Sequence, residues 1–143
     1  WQGKRFMKDN VFIDSNIWLY ALIQSQTDDE KRLIAKNCIV EAKDIIVSTQ
    51  VVNEVCVNLM RKASKDNAYI EQFVSDFVAT YAVVAQTKED VLQAASIRRD
   101  YDLSYWDSLI VTCALRSECS ILLTEDMQQG LIINKQLEIC NPF

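Results

Sequence analysis

Short apolar runs alternate along this chain with longer stretches in which apolar residues recur at every third or fourth position. The short runs are typical of buried strands, and the periodic stretches are typical of amphipathic helices. Regular alternation of the two predicts an α/β fold, in which helices connect parallel strands. The 143 residues include only two glycines and one proline, so we expect a single domain without a linker or low-complexity segment.

The predicted strands are the short apolar runs, at residues 11–13, 45–47, 82–85, 121–123 and 137–139. The predicted helices are the periodic stretches, at residues 16–23, 30–42, 49–62, 66–80, 87–101 and 104–116. Candidate helix caps are Ser48 or Thr49, Asp66, Thr87 with Asp90, and Ser104 with Asp107. A short helical turn is expected after Asp126. Strands joined by helices in this order predict a mostly parallel sheet of about five strands with helices on both faces.

Residues 1–6 (WQGKRF) precede Met7 and are interpreted as a cloning remnant, an upstream misreading or a disordered lead, so the predicted domain spans residues 7–143. The sequence has 15 Lys and Arg against 20 Asp and Glu, a net charge of −5; without Lys4 and Arg5 the balance is 13 against 20, or −7. Proteins that coat nucleic acid are basic, because they neutralise phosphates. Nucleic acid can therefore be the ligand only if metal ions, local basic patches or a basic partner offset this acidity.

The cysteines indicate a reducing compartment. They are odd in number, lack CxxC spacing and lie mostly within apolar helical stretches, where a thiol packs as a small hydrophobe. They are Cys38, Cys56, Cys113, Cys119 and Cys140. No apolar run approaches the roughly 20 residues of a membrane span, and the start of the chain does not resemble a signal peptide. We therefore predict a cytoplasmic protein that does not associate with a membrane.

Four acidic residues lie directly after predicted strands or near the starts of helices. Asp14 and Asp126 follow strands, Glu54 lies on the helix after the second strand, and Asp107 lies in the first turn of a helix. Taken singly, such acids more often have a structural role: Asp107 and Asp126 as capping or turn residues, and Glu54 as a helix surface residue. Ligands of such sheets bind outside the carboxyl ends of the strands. The joint placement of the four acids at this edge favours a shared site.

A cluster of carboxylates requires compensation. Two carboxylates about 6 Å apart repel each other by about 3 kcal/mol at an effective dielectric constant of about 20. The acids must therefore bind cations or take up protons, and hard oxygen ligands favour Mg²⁺ or Mn²⁺ over zinc. The sequence has no histidine, which excludes a two-histidine ribonuclease, a Ser-His-Asp triad and histidine-ligated zinc. Water activated by a metal ion is then the natural nucleophile.

The acidic motifs resemble, in their order and spacing, those of the PIN (PilT N-terminal) domain nucleases. The motifs are Ile13-Asp14-Ser15-Asn16, Asn53-Glu54, Ser104-Tyr105-Trp106-Asp107 and Leu123-Thr124-Glu125-Asp126. The resemblance extends from about Met7 to the end of the chain, and the size fits the VapC-like toxins of VapBC toxin-antitoxin pairs. It implies that Asp14, Glu54, Asp107 and Asp126 are catalytic residues that coordinate one or two Mg²⁺ or Mn²⁺ ions. Asn16 and Thr124 match supporting polar positions.

The same resemblance implies an endoribonuclease whose products carry 5′-phosphate and 3′-hydroxyl ends. It also implies a homodimer and a cognate antitoxin. The last acidic ligand stays open between Glu125 and Asp126, although the Thr-x-Asp pattern favours Asp126.

Basic residues near Glu54 are candidates for contact with RNA. The helix that carries Glu54 leads on to Asn58, Arg61, Lys62 and Lys65. Steps of three or four residues predict a stripe along one face that consists of Glu54, Asn58, Arg61 and Lys65. The basic residues suit a phosphate backbone, and they are equally explained as cations that complement the helix dipole. Trp18, Tyr20 and Tyr105 could stack on bases or serve in the core or a dimer.

Two alternatives differ from the nuclease hypothesis in class. The first is a catalytically silent PIN-like interaction module. The second is a receiver-like signalling domain that binds Mg²⁺, although such a domain requires an acidic pair around the first strand and a lysine after the last strand. The chain has neither feature, since Lys135 precedes the last predicted strand.

Overall fold

The computed structural model describes residues 9–143 and contains six strands and six helices within them. The strands are β1 Asn10–Ile13, β2 Asp44–Ser48, β3 Ala82–Val84, β4 Ile121–Leu123, β5 Ile132–Ile133 and β6 Leu137–Cys140. The helices are α1 Ser15–Leu22, α2 Asp29–Glu41, α3 Thr49–Lys62, α4 Asn67–Thr80, α5 Lys88–Tyr101 and α6 Tyr105–Arg116. Residues 1–6, interpreted above as a remnant or lead, lie outside the described residues.

The strands form one sheet in the order β3-β2-β1-β4-β6-β5. The first five strands in this order run parallel to one another, and only β5 is antiparallel, to β6. The central strand is β1, in which Phe12 pairs with Ile46 on one side and with Leu122 on the other. The mostly parallel α/β sheet predicted from the sequence is confirmed.

The helices form two groups. Helix α1 packs on α2 and α3, and α3 packs on α4, whereas α5 packs on α6. The chain steps from β1 to β2 to β3 through the first group and returns from β3 to β4 through the second. Crossovers between parallel strands are right-handed. Because the chain moves towards one edge of the sheet through the first group and back through the second, the two groups lie on opposite faces. The two faces therefore both carry helices, as predicted.

The core lies along the central strands. Val11, Phe12 and Ile13 of β1 are fully buried, as expected of a parallel strand covered on both faces. Trp18 is also buried: its ring lies 4.8 Å from that of Phe77, and its Nε1 donates to the carbonyl of Ile13. Trp18 is thus a core residue and is not available to stack on a base.

Two local expectations were wrong. Residues 125–127 form bends in place of the helical turn expected after Asp126. The sheet has a sixth strand, β5, that forms a hairpin with β6 through Asn134 and Lys135, both of which have positive φ. Residues 134–136 separate the paired Ile133 and Leu137, and positive φ values in a turn are usually recognised from a glycine, which this turn lacks.

The predicted caps and thiols agree with the structure. The side chains of Ser48, Asp66, Thr87 and Ser104 accept from backbone N–H groups at the starts of their helices. All five cysteines are buried. Burial raises the pKa of the Cys119 thiol to about 12, so it stays protonated at neutral pH. Within residues 9–143, no helix is both long and apolar enough to cross a membrane.

Candidate active site

Asp14 lies where the central strand ends and α1 begins. Its backbone N–H donates to the carbonyl of Leu123 at 3.0 Å, which holds the end of β1 against the end of β4. The connections that leave β1 and enter β4 run to opposite faces of the sheet, so a crevice opens between these two strand ends. The side chain of Asp14 is 3% exposed within this crevice.

Three groups donate to the Asp14 carboxylate. Oδ1 accepts from the backbone N–H of Ser15 at 2.7 Å, and Oδ2 accepts from the Thr124 hydroxyl at 2.8 Å and from the Asn16 amide at 3.4 Å. Burial nevertheless raises the pKa of Asp14 to about 7. The bonds from Thr124 and Ser15 lower this pKa, whereas the nearby charges of Glu54 and Asp107 raise it. Asp14 therefore has a stronger affinity for a proton or another cation than an ordinary aspartate.

Asn16 and Thr124 connect Asp14 to Asp126. The amide of Asn16 donates to Asp126 Oδ2 at 3.0 Å and to Thr124 Oγ1 at 3.2 Å. The backbone N–H of Asp126 also donates to Thr124 Oγ1, at 3.1 Å. The two residues predicted to support the site thus lie between two of the predicted acids.

Glu125, the competing acid, points to a different partner. Its carboxylate pairs with the ammonium group of Lys31, which also contacts the Tyr20 hydroxyl at 3.3 Å. Burial acts to raise the pKa of Glu125, but hydrogen bonds from Lys31 and Tyr20 lower it on balance. Of the two adjacent acids, Asp126 is therefore the one whose carboxylate adjoins Asn16 and the site around Asp14.

Glu54 reaches the crevice from α3, which begins at the end of β2. Its Oε2 accepts from the Ser15 hydroxyl at 2.8 Å, and its Oε1 accepts from the Gln50 amide at 2.8 Å. Gln50 is itself held, because its oxygen accepts from the Gln86 amide at 2.6 Å. The sequence reasoning missed Ser15 and Gln50 as partners of Glu54. Two features of the sequence could have indicated these contacts: Ser15 directly follows Asp14, and Gln50 lies four residues before Glu54 on the same helix.

Asp107 lies in the first turn of α6. Its backbone N–H donates to the Ser104 side chain at 3.1 Å, which caps the helix, and its own side chain is half-buried. Burial raises the pKa of Asp107, the Ser104 hydroxyl lowers it, and the charges of Asp126 and Glu54 raise it. The charges of Glu54 and Asp107 thus act on Asp14, and those of Glu54 and Asp126 act on Asp107, which connects the four predicted acids at one edge of the sheet.

The donor set of this edge suits a hard divalent cation. Within residues 9–143, no three Asp, Glu or Cys side chains are close enough to form a ready-made metal site. Mg²⁺ does not require one, because it usually keeps several waters and binds proteins through one or two carboxylates. The carboxylates of the crevice are oxygen ligands of the kind that Mg²⁺ and Mn²⁺ prefer. The chemistry of the residues fits such an ion.

A polar cleft of about 410 Å³ adjoins the acids. It is lined by residues that include Asn16, Asp126, Asn58 and Lys62. Of the three predicted RNA-contacting cations, Lys62 alone lines this cleft among the residues that the structure describes.

The other two predicted cations lie elsewhere. Arg61 is exposed and does not line the cleft. The prediction that Lys65 shares a face of the Glu54 helix was wrong, because α3 ends at Lys62. The Lys65 ammonium group lies 4.6 Å from the centre of the Tyr69 ring. The helix end thus separates Lys65 from the stripe in which it was predicted.

The family assignment follows from a comparison with protein-family models. The model described as "PIN domain" matches residues 11–130, which is most of the chain. This chain belongs to the PIN domain family. All four acids lie within the matched range, so the crevice described above belongs to the PIN domain itself.

The PIN fold is also found in three similar solved structures. A toxin-antitoxin complex from Klebsiella pneumoniae has a TM-score of 0.68 at 17% identity and covers 93% of this chain and 98% of its own. Mycobacterium tuberculosis VapC20, described as a sarcin-ricin loop cleaving toxin, has a TM-score of 0.63 at 16% identity, covering 78% and 86%. VapBC2 from Rickettsia felis, bound to a DNA fragment from its promoter, has a TM-score of 0.61 at 15% identity, covering 92% and 99%.

At these identities the structural likeness shows a shared fold. No curated protein matches this PIN domain at a significant level of sequence similarity.

Proposed function

We propose that this PIN domain is a Mg²⁺- or Mn²⁺-dependent endoribonuclease that leaves 5′-phosphate and 3′-hydroxyl ends. The proposal depends on one observation, the buried Asp14 between the ends of β1 and β4, where Glu54 and Asp107 are close enough to raise its pKa. A carboxylate that is buried among other acids without a basic partner is poised to bind a cation. Membership of a nuclease family and the absence of histidine from the sequence support the same reaction.

The four acids Asp14, Glu54, Asp107 and Asp126 would hold the ion. When bound, such an ion lowers the pKa of a water nucleophile and neutralises charge on the attacked phosphate. The chain supplies the orientation: Ser15 and Gln50 each donate to a different oxygen of Glu54. Thr124 donates to Asp14, and Asn16 donates to Asp126. Because burial raises the pKa of Asp14 to about 7, a proton competes with the cation for this carboxylate near neutral pH.

The biological role that we propose is the toxin of a type II toxin-antitoxin pair, as a cytoplasmic homodimer with a cognate antitoxin. Two of the similar structures are described as toxin-antitoxin or VapBC assemblies, and they cover 93% and 92% of this chain. The acidic composition, a net charge of −5, suits an antitoxin whose basic segment covers the carboxylates. Such a segment would block the crevice and compete with both the ion and RNA.

The test is cleavage of an end-labelled RNA mixture by purified protein that has been freed of any partner. We expect cleavage with Mg²⁺ or Mn²⁺, none with chelator, and at least about 10²-fold slower cleavage by Asp14→Asn. The matched control is Asp44→Asn, which removes the same charge at the opposite end of the sheet, where Asp44 begins β2. Equal activity of the two variants, or full activity with chelator, would overturn the proposal. Sequencing the cut ends then identifies the RNA.

The two alternative functions are distinguished from the nuclease by strand order and by an activity assay. A receiver-like domain is disfavoured by strand order, because receivers have the order 2-1-3-4-5 and this sheet begins 3-2-1-4. A catalytically silent PIN module differs from a nuclease only in activity. If the protein binds Mn²⁺ in calorimetry but leaves every RNA intact after removal of its partner, the silent module replaces the enzyme.

A further inference from the structure

A second cleft, of about 520 Å³, meets helix α3 nearer its start. Its lining residues are Gln50, Asn53, Glu54, Gln86 and Trp106. The polar cleft described above meets the same helix nearer its end, at Asn58 and Lys62. Gln50, Glu54, Asn58 and Lys62 recur at intervals of four residues and so lie along one face of α3. One helix face thus runs from the second cleft past the acidic site to the polar cleft.

Trp106 presents a large aromatic ring to this second cleft. It is 67% exposed, although it lies in the first turn of α6 directly before Asp107. The ring of Tyr105 supports it edge-on, with the two centroids 6.1 Å apart. An exposed indole beside a candidate phosphodiester-cleaving site offers a flat surface of the kind on which bases stack.

Apart from Trp106 and Glu54, the side chains that line this cleft carry amide groups. The side chain of Asn53 is exposed and forms no hydrogen bond within residues 9–143. Gln86 donates through its nitrogen to Gln50, which leaves the Gln86 side-chain oxygen able to accept. The lining residues include no Lys or Arg, and Glu54 adds a negative charge. A phosphate is therefore disfavoured here, whereas the edge of a neutral base has matching donors and acceptors.

We infer that the second cleft is a nucleobase-binding subsite for single-stranded RNA. One base stacks on Trp106, and Asn53 and Gln86 contact its edge. Its neighbouring phosphate lies at the carboxylates, and the strand continues along α3 towards Asn58 and Lys62. This inference rests on the proposed ribonuclease function and adds a residue set that determines which base flanks the cut.

The binding test uses the Asp14→Asn variant, so that RNA is not cut, and single-stranded RNA dodecamers that contain the sequenced cleavage site. We expect Trp106→Ala to weaken binding about tenfold and Trp106→Phe, which keeps an aromatic face, to weaken it less than about threefold. A dodecamer with one abasic nucleotide at the stacked position should bind Trp106→Ala and its parent equally. Abasic nucleotides elsewhere should preserve the tenfold difference. The matched control is Tyr69→Ala, an exposed aromatic on α4, which should leave binding unchanged.

The activity test uses the otherwise unaltered chain. We expect Gln86→Glu and Asn53→Asp to change the preferred base at the same nucleotide that the abasic series identifies. If the unaltered chain cuts RNA while Trp106→Ala keeps its rate and base preference, the subsite inference fails and the proposed function stands. If the unaltered chain neither cuts nor binds RNA, both fail. If Trp106→Ala instead abolishes self-association or association with a protein partner without changing RNA binding, the exposed indole is a protein contact and the inference is overturned.

Discussion

The hydroxyl of Thr124 donates a hydrogen bond of 2.8 Å to Oδ2 of Asp14, a residue 110 positions earlier in the chain. The bond joins the ends of β4 and β1 and lowers the pKa of a carboxylate whose burial otherwise raises it. The same oxygen of Thr124 accepts from the Asn16 amide and from the backbone of Asp126. One hydroxyl group thus orients two of the four acids.

Loss of this hydroxyl should weaken cation binding. We expect Thr124→Val to reduce Mn²⁺ affinity at pH 7 about 10- to 100-fold, the usual range for residues that orient ligands. Thr124→Ser keeps the hydroxyl and should recover most of the affinity. Calorimetric titration of both variants tests this, and equal affinity of the valine and serine variants would show that the bond does not support the site.

The two adjacent acids should differ in effect. We expect Asp126→Asn to reduce Mn²⁺ affinity and RNA cleavage more than about tenfold, because Asp126 adjoins Asn16 beside Asp14. Glu125→Gln weakens contacts with Lys31 and Tyr20. Because Glu125 does not adjoin Asp14, cleavage should stay near the unaltered rate. The stability change should be about 1 kcal/mol or less. The reverse order of the two variants in a cleavage assay would assign the ligand role to Glu125.

The stability of the metal-free protein should fall as pH rises towards neutrality. The pKa of Asp14 is raised from 3.8 to about 7, so the folded state holds a proton that the unfolded state has lost over this range. The contribution of Asp14 to the free energy of unfolding is fully present below about pH 4 and is lost as pH rises through about 7. Over this range the free energy of unfolding falls by up to about 1.4 kcal/mol per pH unit. The raised pKa of Asp107 acts in the same direction.

Urea denaturation with chelator between pH 5 and 8, followed by tryptophan fluorescence, measures this slope. The Asp14→Asn variant cannot titrate at this position, so its slope should be shallower, whereas Asp44→Asn should keep the slope of the unaltered chain. A slope that is the same in all three proteins would show that Asp14 titrates normally.

A buried ion pair should contribute to stability away from the site. Arg116 donates to both carboxylate oxygens of Asp90, at 2.8 and 2.9 Å, and Asp90 is 2% exposed. Burial acts to raise the pKa of Asp90, but Arg116 lowers it on balance. The stabilisation is therefore present above the ordinary carboxyl pKa and is lost as pH falls through the lowered value.

Arg116→Met should lower the free energy of unfolding by about 2 to 3 kcal/mol at pH 7, because it leaves a buried carboxylate unpaired while partial exposure of Arg116 moderates the loss. The matched control is Arg99→Met, which removes an exposed pair with Asp100 and should change stability much less, because water screens the pair. Urea denaturation compares them. Equal losses of stability in the two variants would mean that the Asp90 carboxylate becomes accessible to water when Arg116 is removed.

Lys62 should contribute to RNA binding more than its neighbours. It lines the polar cleft, whereas Lys65 lies over the Tyr69 ring beyond the end of α3. We expect Lys62→Ala to raise KM a few-fold and to reduce the dependence of log KM on log salt by about 1, with little change in kcat. Arg61→Ala and Lys65→Ala should behave like the unaltered chain. Equal effects of the three substitutions would indicate general attraction of RNA by the helix end.

Local patterns in the sequence predicted most of the fold. Apolar periodicity located the helices and five of the strands, and capping residues such as Ser48 and Thr87 located helix starts, because these signals act within a few residues. Strand β5 escaped prediction because its pairing with β6 depends on a turn without glycine. Asp90 was predicted as a capping residue, which it is, but its pair with Arg116 on the next helix has no local signal.

The candidate site was likewise predicted in part from the sequence. The sequence by itself determined that acids follow the strands, and with the parallel-sheet rule this predicted one acidic edge. Only the tertiary structure decided which groups hold each acid: Ser15 contacts Glu54 across 39 residues, and Thr124 contacts Asp14 across 110. The Thr-x-Asp pattern favoured Asp126 over the neighbouring Glu125 but left the choice open, and the pair of Glu125 with Lys31 from α2 distinguishes them. Strand order sets such contacts, and strand order depends on how the whole chain packs.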